Sequence, residues 1–157
     1  MSSEKTSFVY VTYIRSTPEK VFEAVIRPET ARKYWGHENI SDWQPGSKWE
    51  HVRADAERTV NIAGNVVEVT PPHRLVISWS APADYATPEK HSRVTFEIVP
   101  YEGMVRLTVT HDELEAGSGM AAGVGKGWPR VLSSLKSFLE TGEAIDVFAQ
   151  PKTANAA

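Results

Sequence analysis

The chain contains no cysteine. That excludes disulfides, thiolate nucleophiles and cysteine-ligated zinc. It also lacks an excess of positive charge. Its 17 lysines and arginines against 20 aspartates and glutamates leave a net charge of −3. The basic residues are scattered, so no basic field favours nucleic acid or an anionic membrane. No apolar run approaches the ~20 residues of a membrane span, and the opening MSSEKTSF lacks the apolar core of a signal peptide. These absences predict a cytoplasmic protein with neither nucleic acid nor membrane as partner. Catalytic and metal motifs are missing too. No histidine pair has H-E-x-x-H spacing, and no serine sits in G-x-S-x-G, since Ser118 in GSG lacks the elbow pattern. No catalytic residue, metal or cofactor is expected.

The glycines around Lys126 invite a phosphate-loop reading and fail it. A hydroxyl must come after the lysine to hold magnesium, yet Gly127 stands there, and Met120 takes the place of the first glycine. The dinucleotide pattern G-x-G-x-x-G fails at Trp128. From Trp128 onward the pattern is helical. Pro129 suits a first helical turn. Trp128, Val131, Leu132, Leu135, Phe138 and Leu139 share one face at spacings of three and four, with Ser133, Ser134, Lys136, Ser137 and Glu140 opposite. Gly142 is a left-handed stop. The stretch GSGMAAGVGKG before it reads as a mobile lead-in that gates whatever the helix covers.

The 157 residues, 41% of them hydrophobic, suit one domain spanning 1–157, with an ordered core over about 7–148 and a frayed polar tail. Ser7 to Ile14 is rich in β-branched and aromatic residues and predicts a strand. Pro18 opens a helix with Val21, Phe22, Val25 and Ile26 on its apolar face, and Pro28 opens a second, ended by Gly36. About six strands come next at short intervals, among them Ser47 to Arg53 and Thr59 to Val69, the latter with a bulge at Gly64. His73 sits in a solvated turn beside Pro72. In the last strands Leu75, Ile77 and Trp79 share a face, as do Val94, Phe96 and Ile98, and Val105, Leu107 and Val109. Val67 and Val69 are expected inward and Glu68 outward. The pattern predicts an α+β fold in which a curved antiparallel sheet grips the long C-terminal helix on its concave face.

Five stretches carry a family resemblance: STPEKVFEAVIRPETARKYW, WQPGSKWEH, GNVVEVTPPHRLVISW, SRVTFEIVPYEGMVRLTVTHDEL and GWPRVLSSLKSFLETG. In this order they resemble the heat-shock-protein-ninety ATPase activator homologue-like (Aha-like) family, from roughly Ser7 to Gly142. That family belongs to the START-like superfamily of polyketide cyclases and lipid-transport proteins with the birch-pollen-allergen helix-grip fold. The glycine-rich stretch from Gly117 to Gly127 departs from the family pattern. GKGWP resembles the start of the last helix in the enediyne self-resistance proteins of the group.

The resemblance implies a cavity between the long helix and the sheet. Trp35, Trp43, Trp49, Trp79 and Trp128 lie in elements that would border it. Tyr34, Trp35, Trp49, His51, Trp79, Phe96, Trp128 and Leu132 are the candidate binding residues. Trp49, Trp79, Phe96 and Trp128 would be apolar walls, and His51 and Tyr34 the orienting polar contacts. His51 stands two residues after Trp49, so both point to one face, and His91 shares that character more weakly. Three functions from different classes are open. The first is binding of a small apolar, aromatic molecule. The second is a chaperone-cofactor or regulatory role in the stress response with a protein partner, as monomer or homodimer. The third is a cyclase- or hydrolase-like enzyme on an aromatic or polyketide-type substrate.

Overall fold

In the computed structural model residues 4–145 are described, so the expected core limit at 148 and the polar tail lie outside them. Strand β1 (Lys5–Ile14) leads into helices α1 (Pro18–Ile26) and α2 (Pro28–Trp35). Strands β2 (His37–Ile40), β3 (Lys48–Arg53), β4 (Val60–Thr70), β5 (Arg74–Trp79), β6 (Ser92–Tyr101) and β7 (Met104–Glu115) come next, and helix α3 (Gly119–Thr141) closes the order. The strands form one antiparallel sheet in the order β1-β7-β6-β5-β4-β3-β2. The expected α+β helix-grip architecture is the observed one. The sheet is curved and α3 lies on it, with Val124, Trp128, Val131, Leu132 and Leu135 buried.

Local chemistry explains most of the elements. Thr17 caps α1 by accepting from the Lys20 backbone N–H at 3.2 Å. Gly36 ends α2 in the left-handed conformation at φ 69°. The β6–β7 hairpin turns through Glu102 and Gly103, both at positive φ, as a two-residue turn of matching twist requires. The three inward triplets expected on β5, β6 and β7 are all buried.

Several expectations are corrected. Strand β2 was not foreseen. HENI has no alternating apolar pattern, and its Ile40 is exposed. It is a strand because β3 pairs with it and because the buried carboxylate of Glu38 is held between Arg58 at 2.7 Å and Arg32 at 3.3 Å. Gly64 is not a bulge. A Cβ there would collide with the Ser78 carbonyl and stand 2.6 Å from Trp49 Nε1, so glycine is needed for close approach. The bulge lies further on, between Val66 and Glu68. It turns Val67 outward to 54% exposure, against expectation, while Val66 and Val69 pack on the core.

The largest correction concerns α3. The helix starts at Gly119, with Ser118 Oγ capping the Ala121 N–H at 3.0 Å, so the stretch read as a lead-in is helical and Pro129 lies inside the helix. The glycines and the proline each lower intrinsic helicity, which is why the sequence points to a later start. Burial of Val124 and Trp128 against the sheet outweighs that propensity. Ser134, assigned to the polar face, is fully buried; its hydroxyl donates to the Tyr34 carbonyl at 2.7 Å.

Candidate functional site

The first half of α3 does not close tightly on the sheet. A cleft of about 260 Å³ lies there. Its helix wall is made by Gly119, Gly123 and Gly127, with Met120, Val124, Trp128 and Val131 beside them. The three glycines are spaced by four and therefore share one face. A Cβ built on any of them meets nothing within 4 Å. The missing side chains are thus part of what keeps the space open.

The opposite wall is aromatic. Trp35 from α2, His37 from β2, His51 from β3 and Trp79 from β5 line it, with Ile62 from β4. The rings form a connected set: Trp79 lies 5.5 Å from Trp128, Trp35 lies 5.7 Å from Trp128, and Trp35 meets His51 edge-on at 4.7 Å. His37 and His51 stack with centroids 4.2 Å apart and planes within 3°. Among the described residues no lysine, arginine, aspartate or glutamate lines the cleft.

Of the eight candidate residues, the structure brings Trp35, His51, Trp79 and Trp128 to the cleft. The other four are core. Trp49 packs behind Trp79 at 5.5 Å, its indole N–H donating to the Ser78 carbonyl at 2.8 Å. Phe96 meets Trp128 edge-on from beneath. Leu132 is buried on α3 without lining the space. Tyr34 uses its hydroxyl on the Ala24 carbonyl at 2.9 Å, and burial drives its phenol pKa upward, so it is not an orienting contact. Trp43 is half-buried against the core and lies away from the cleft. His73 is exposed as expected, and His91 is tied to Ser78 and Tyr85 outside the cleft.

The residues missed were His37, Ile62, the glycine stripe and His111. The glycine signal was present as a four-residue repeat; only a helix starting at Gly119 gives it meaning. His37 had none, because β2 was not legible. His111, fully buried, sits beside the cleft and joins its walls. Trp128 Nε1–H donates to His111 Nδ1 at 3.1 Å, His111 Nε2 lies 2.8 Å from Ser92 Oγ, and that hydroxyl donates to the Trp79 carbonyl at 3.1 Å. Burial pushes the His111 pKa down to about 4. Burial and then the neighbouring His37 hold His51 well below the usual histidine value. His51 therefore presents a neutral imidazole to the cleft at ordinary pH. No carboxylate meets a histidine inside it, and Asn39 orients His51 instead, at 2.7 Å from Nδ1.

Among the described residues no helix is long and apolar enough to cross a membrane. Comparison with known proteins found a family match over most of the chain. The model of the family described as Activator of Hsp90 ATPase homolog 1-like protein matches residues 15–140. No curated protein matched significantly. Among solved structures, the Aha1 dimer from Colwellia psychrerythraea superposes with a TM-score of 0.73 at 18% identity, covering 88% of this chain and 99% of that one. CalU16 from Micromonospora echinospora gives 0.67 at 19% identity over 90% of this chain and 88% of that one. An HSP90 activator from Plasmodium falciparum gives 0.69 at 25% identity over 85% and 95%. The first two likenesses bear on the fold alone. With a family match from Arg15 to Glu140 and a sheet that grips its last helix in the same way, the chain belongs to the Activator of Hsp90 ATPase homolog 1-like protein family.

Proposed function

We propose that this protein binds a small, mostly apolar, aromatic molecule in the cleft between α3 and the sheet. One observation carries the reading: a stripe of three glycines faces Trp35, Trp79 and the two histidines across a largely apolar space of about 260 Å³. Ligand sites are concave, largely apolar and fitted with few polar groups. An apolar cavity of about 150 Å³ already takes up benzene, so this one suits a ring system of one or two fused rings. Native mass spectrometry of freshly purified protein should show a retained small molecule. Titration with apolar aromatics should quench or shift the tryptophan emission. Trp79→Ala should weaken that binding by about 1 to 3 kcal/mol. An emission spectrum unmoved by every aromatic in the panel would sink the reading.

A protein-partner role is the second reading, favoured by a different surface. Val9, Val11 and Tyr13 on edge strand β1 are 55%, 46% and 40% exposed, and Tyr101 of β6 lies 5.2 Å from Tyr13. The register places Val99 two strands across from Tyr13 on the same outward face. Exposed apolar side chains gathered in this way mark association surfaces. Two structural relatives are an Aha1 dimer and an HSP90 activator. Sedimentation of the wild type, alone and with an Hsp90-type chaperone, should show association that Val11→Glu removes. A monomer that ignores the chaperone would overturn this second reading.

A further inference from the structure

The cleft holds one oriented and unused acceptor. The chain of hydrogen bonds behind it fixes its direction. The Val25 carbonyl can only accept, so Asn39 must turn its amide N–H toward it, at 2.7 Å. That places Asn39 Oδ1 against His51 Nδ1, at 2.7 Å. An amide oxygen can only accept, so His51 carries its proton on Nδ1. In the neutral ring the lone pair then sits on Nε2. No described side chain or carbonyl pairs with Nε2, and it is not among the nitrogens that protein atoms seal off. His51 lines the cleft and is 5% exposed.

The other polar groups of the cleft are unlike it. Both nitrogens of His37 are occupied, Nδ1 by the Trp35 carbonyl at 3.1 Å and Nε2 by Asn61 at 2.8 Å. The Trp128 N–H is taken by His111. The Trp35 N–H has no partner among the described residues, and the Trp79 N–H is buried without one, but both are donors. His51 Nε2 is therefore the one unpaired nitrogen or oxygen acceptor among the described lining side chains. It lies between a stacked His37 ring and an edge-on Trp35 ring. A ligand whose apolar face meets those rings gains a hydrogen bond there only if it brings a donor.

We infer that the cleft selects a hydroxyaromatic, of one or two fused rings, whose O–H donates to His51 Nε2. This rests on the proposed ligand-binding role and specifies it. The enforced tautomer is what makes the choice. A histidine free to place its proton on either nitrogen would accept a ligand acceptor equally well, whereas this one rejects it. An ether or an arene of the same shape leaves Nε2 desolvated and unpaired, which costs affinity.

The test uses 2-naphthol, 2-methoxynaphthalene, naphthalene and 2-naphthoate, titrated calorimetrically into the full chain. The naphthol should bind on the order of tenfold more tightly than naphthalene, the methyl ether or the naphthoate, none of which brings a donor. In His51→Phe, which keeps a ring in place, the naphthol should lose its advantage and bind no more tightly than naphthalene does to the same variant. A second readout needs no variant: the imidazole Nε2 resonance of the wild type should move on adding naphthol and stay still with naphthalene. If none of the four binds, the ligand-binding role itself fails. If all bind alike with Nε2 unmoved, or if the preference for naphthol survives in His51→Phe, the role stands and this inference is overturned.

Discussion

His111 and His51 are both buried imidazoles with depressed pKa values, yet their protons sit on opposite nitrogens. His111 accepts at Nδ1 from Trp128 and faces Ser92 through Nε2, so both its atoms are spent on structure. His51 spends one atom and leaves the other without a partner among the described residues. Depressed values have a consequence for acid stability. The unfolded chain takes up a proton at such a site below about pH 6.5, whereas folded His111 does not until about pH 4. Between those values the unfolded state binds more protons, so stability rises with pH. It is fully present above pH 6.5 and is lost as the pH falls toward 4. For His111 the loss is on the order of 3 kcal/mol. Thermal melts at stepped pH should show the Tm falling through this window. His111→Phe should start lower, because it leaves the buried Trp128 N–H unpaired at about 1 to 3 kcal/mol, but its Tm should fall less steeply. An identical slope in wild type and variant would mean that another group carries the acid sensitivity.

Helix α3 is two helices in character. Its second half, from Val131 onward, is written in ordinary amphipathic code and is anchored by buried Leu132, Ser134 and Leu135. Its first half contains Gly119, Gly123, Gly125 and Gly127 ahead of an internal Pro129, residues that cost about 1 kcal/mol each for glycine and about 3 for proline relative to alanine. Such a segment is helical through its Ser118 cap and its contact with the sheet. Its amides should exchange faster than those of Val131 to Leu135. Adding side chains should separate stability from binding. Gly123→Ala puts a methyl into open space on a helix and should stabilise the fold by roughly 0.5 to 1 kcal/mol. Gly123→Leu extends further into the cleft and should abolish aromatic binding while the protein stays folded. Unchanged affinity in the leucine variant would mean that the ligand does not occupy this space.

The molecule as a whole is a sheet whose concave side is divided in two by α3. Beneath the second half the packing is closed, and beneath the glycine half a cleft remains. Leu135 is fully buried in the closed part. Leu135→Asp would strand an unpaired charge there at a cost of about 3 kcal/mol or more, a large share of the stability of a domain this size. Loss of the cooperative melt is the expected outcome, and a Tm equal to that of the wild type would remove Leu135 from the core. On the convex side the polar surface is tied by ion pairs such as Arg93 with Asp112 and Arg74 with Glu97, and exposed apolar groups gather toward β1. Cleft and apolar face thus lie on opposite sides of one sheet. Loss of ligand binding and loss of association are expected from different substitutions.

Periodicity made the fold legible. Alternating apolar residues on β5 to β7 and the stripe from Trp128 to Leu139 both encode which face is buried, and neither needs a distant partner to be read. The aromatic wealth of the site was legible for the same reason, since Trp49 and His51 share a strand face whatever they meet. Which rings line a space and which fill the core was not. Trp49 and Phe96 became core and Trp35 and Trp79 became wall through packing against residues far away in sequence. Strand β2, with His37 on it, exists because β3 supplies its hydrogen-bond partners. The proton position on His51 is more remote still, for it depends on Asn39 and the Val25 carbonyl. The sequence by itself determined the elements with a regular apolar period and the faces they bury, because those arise from local period and chirality. The cleft, its glycine wall and its single free acceptor were decided by tertiary structure, because a void and a tautomer are properties of several segments held at fixed distance.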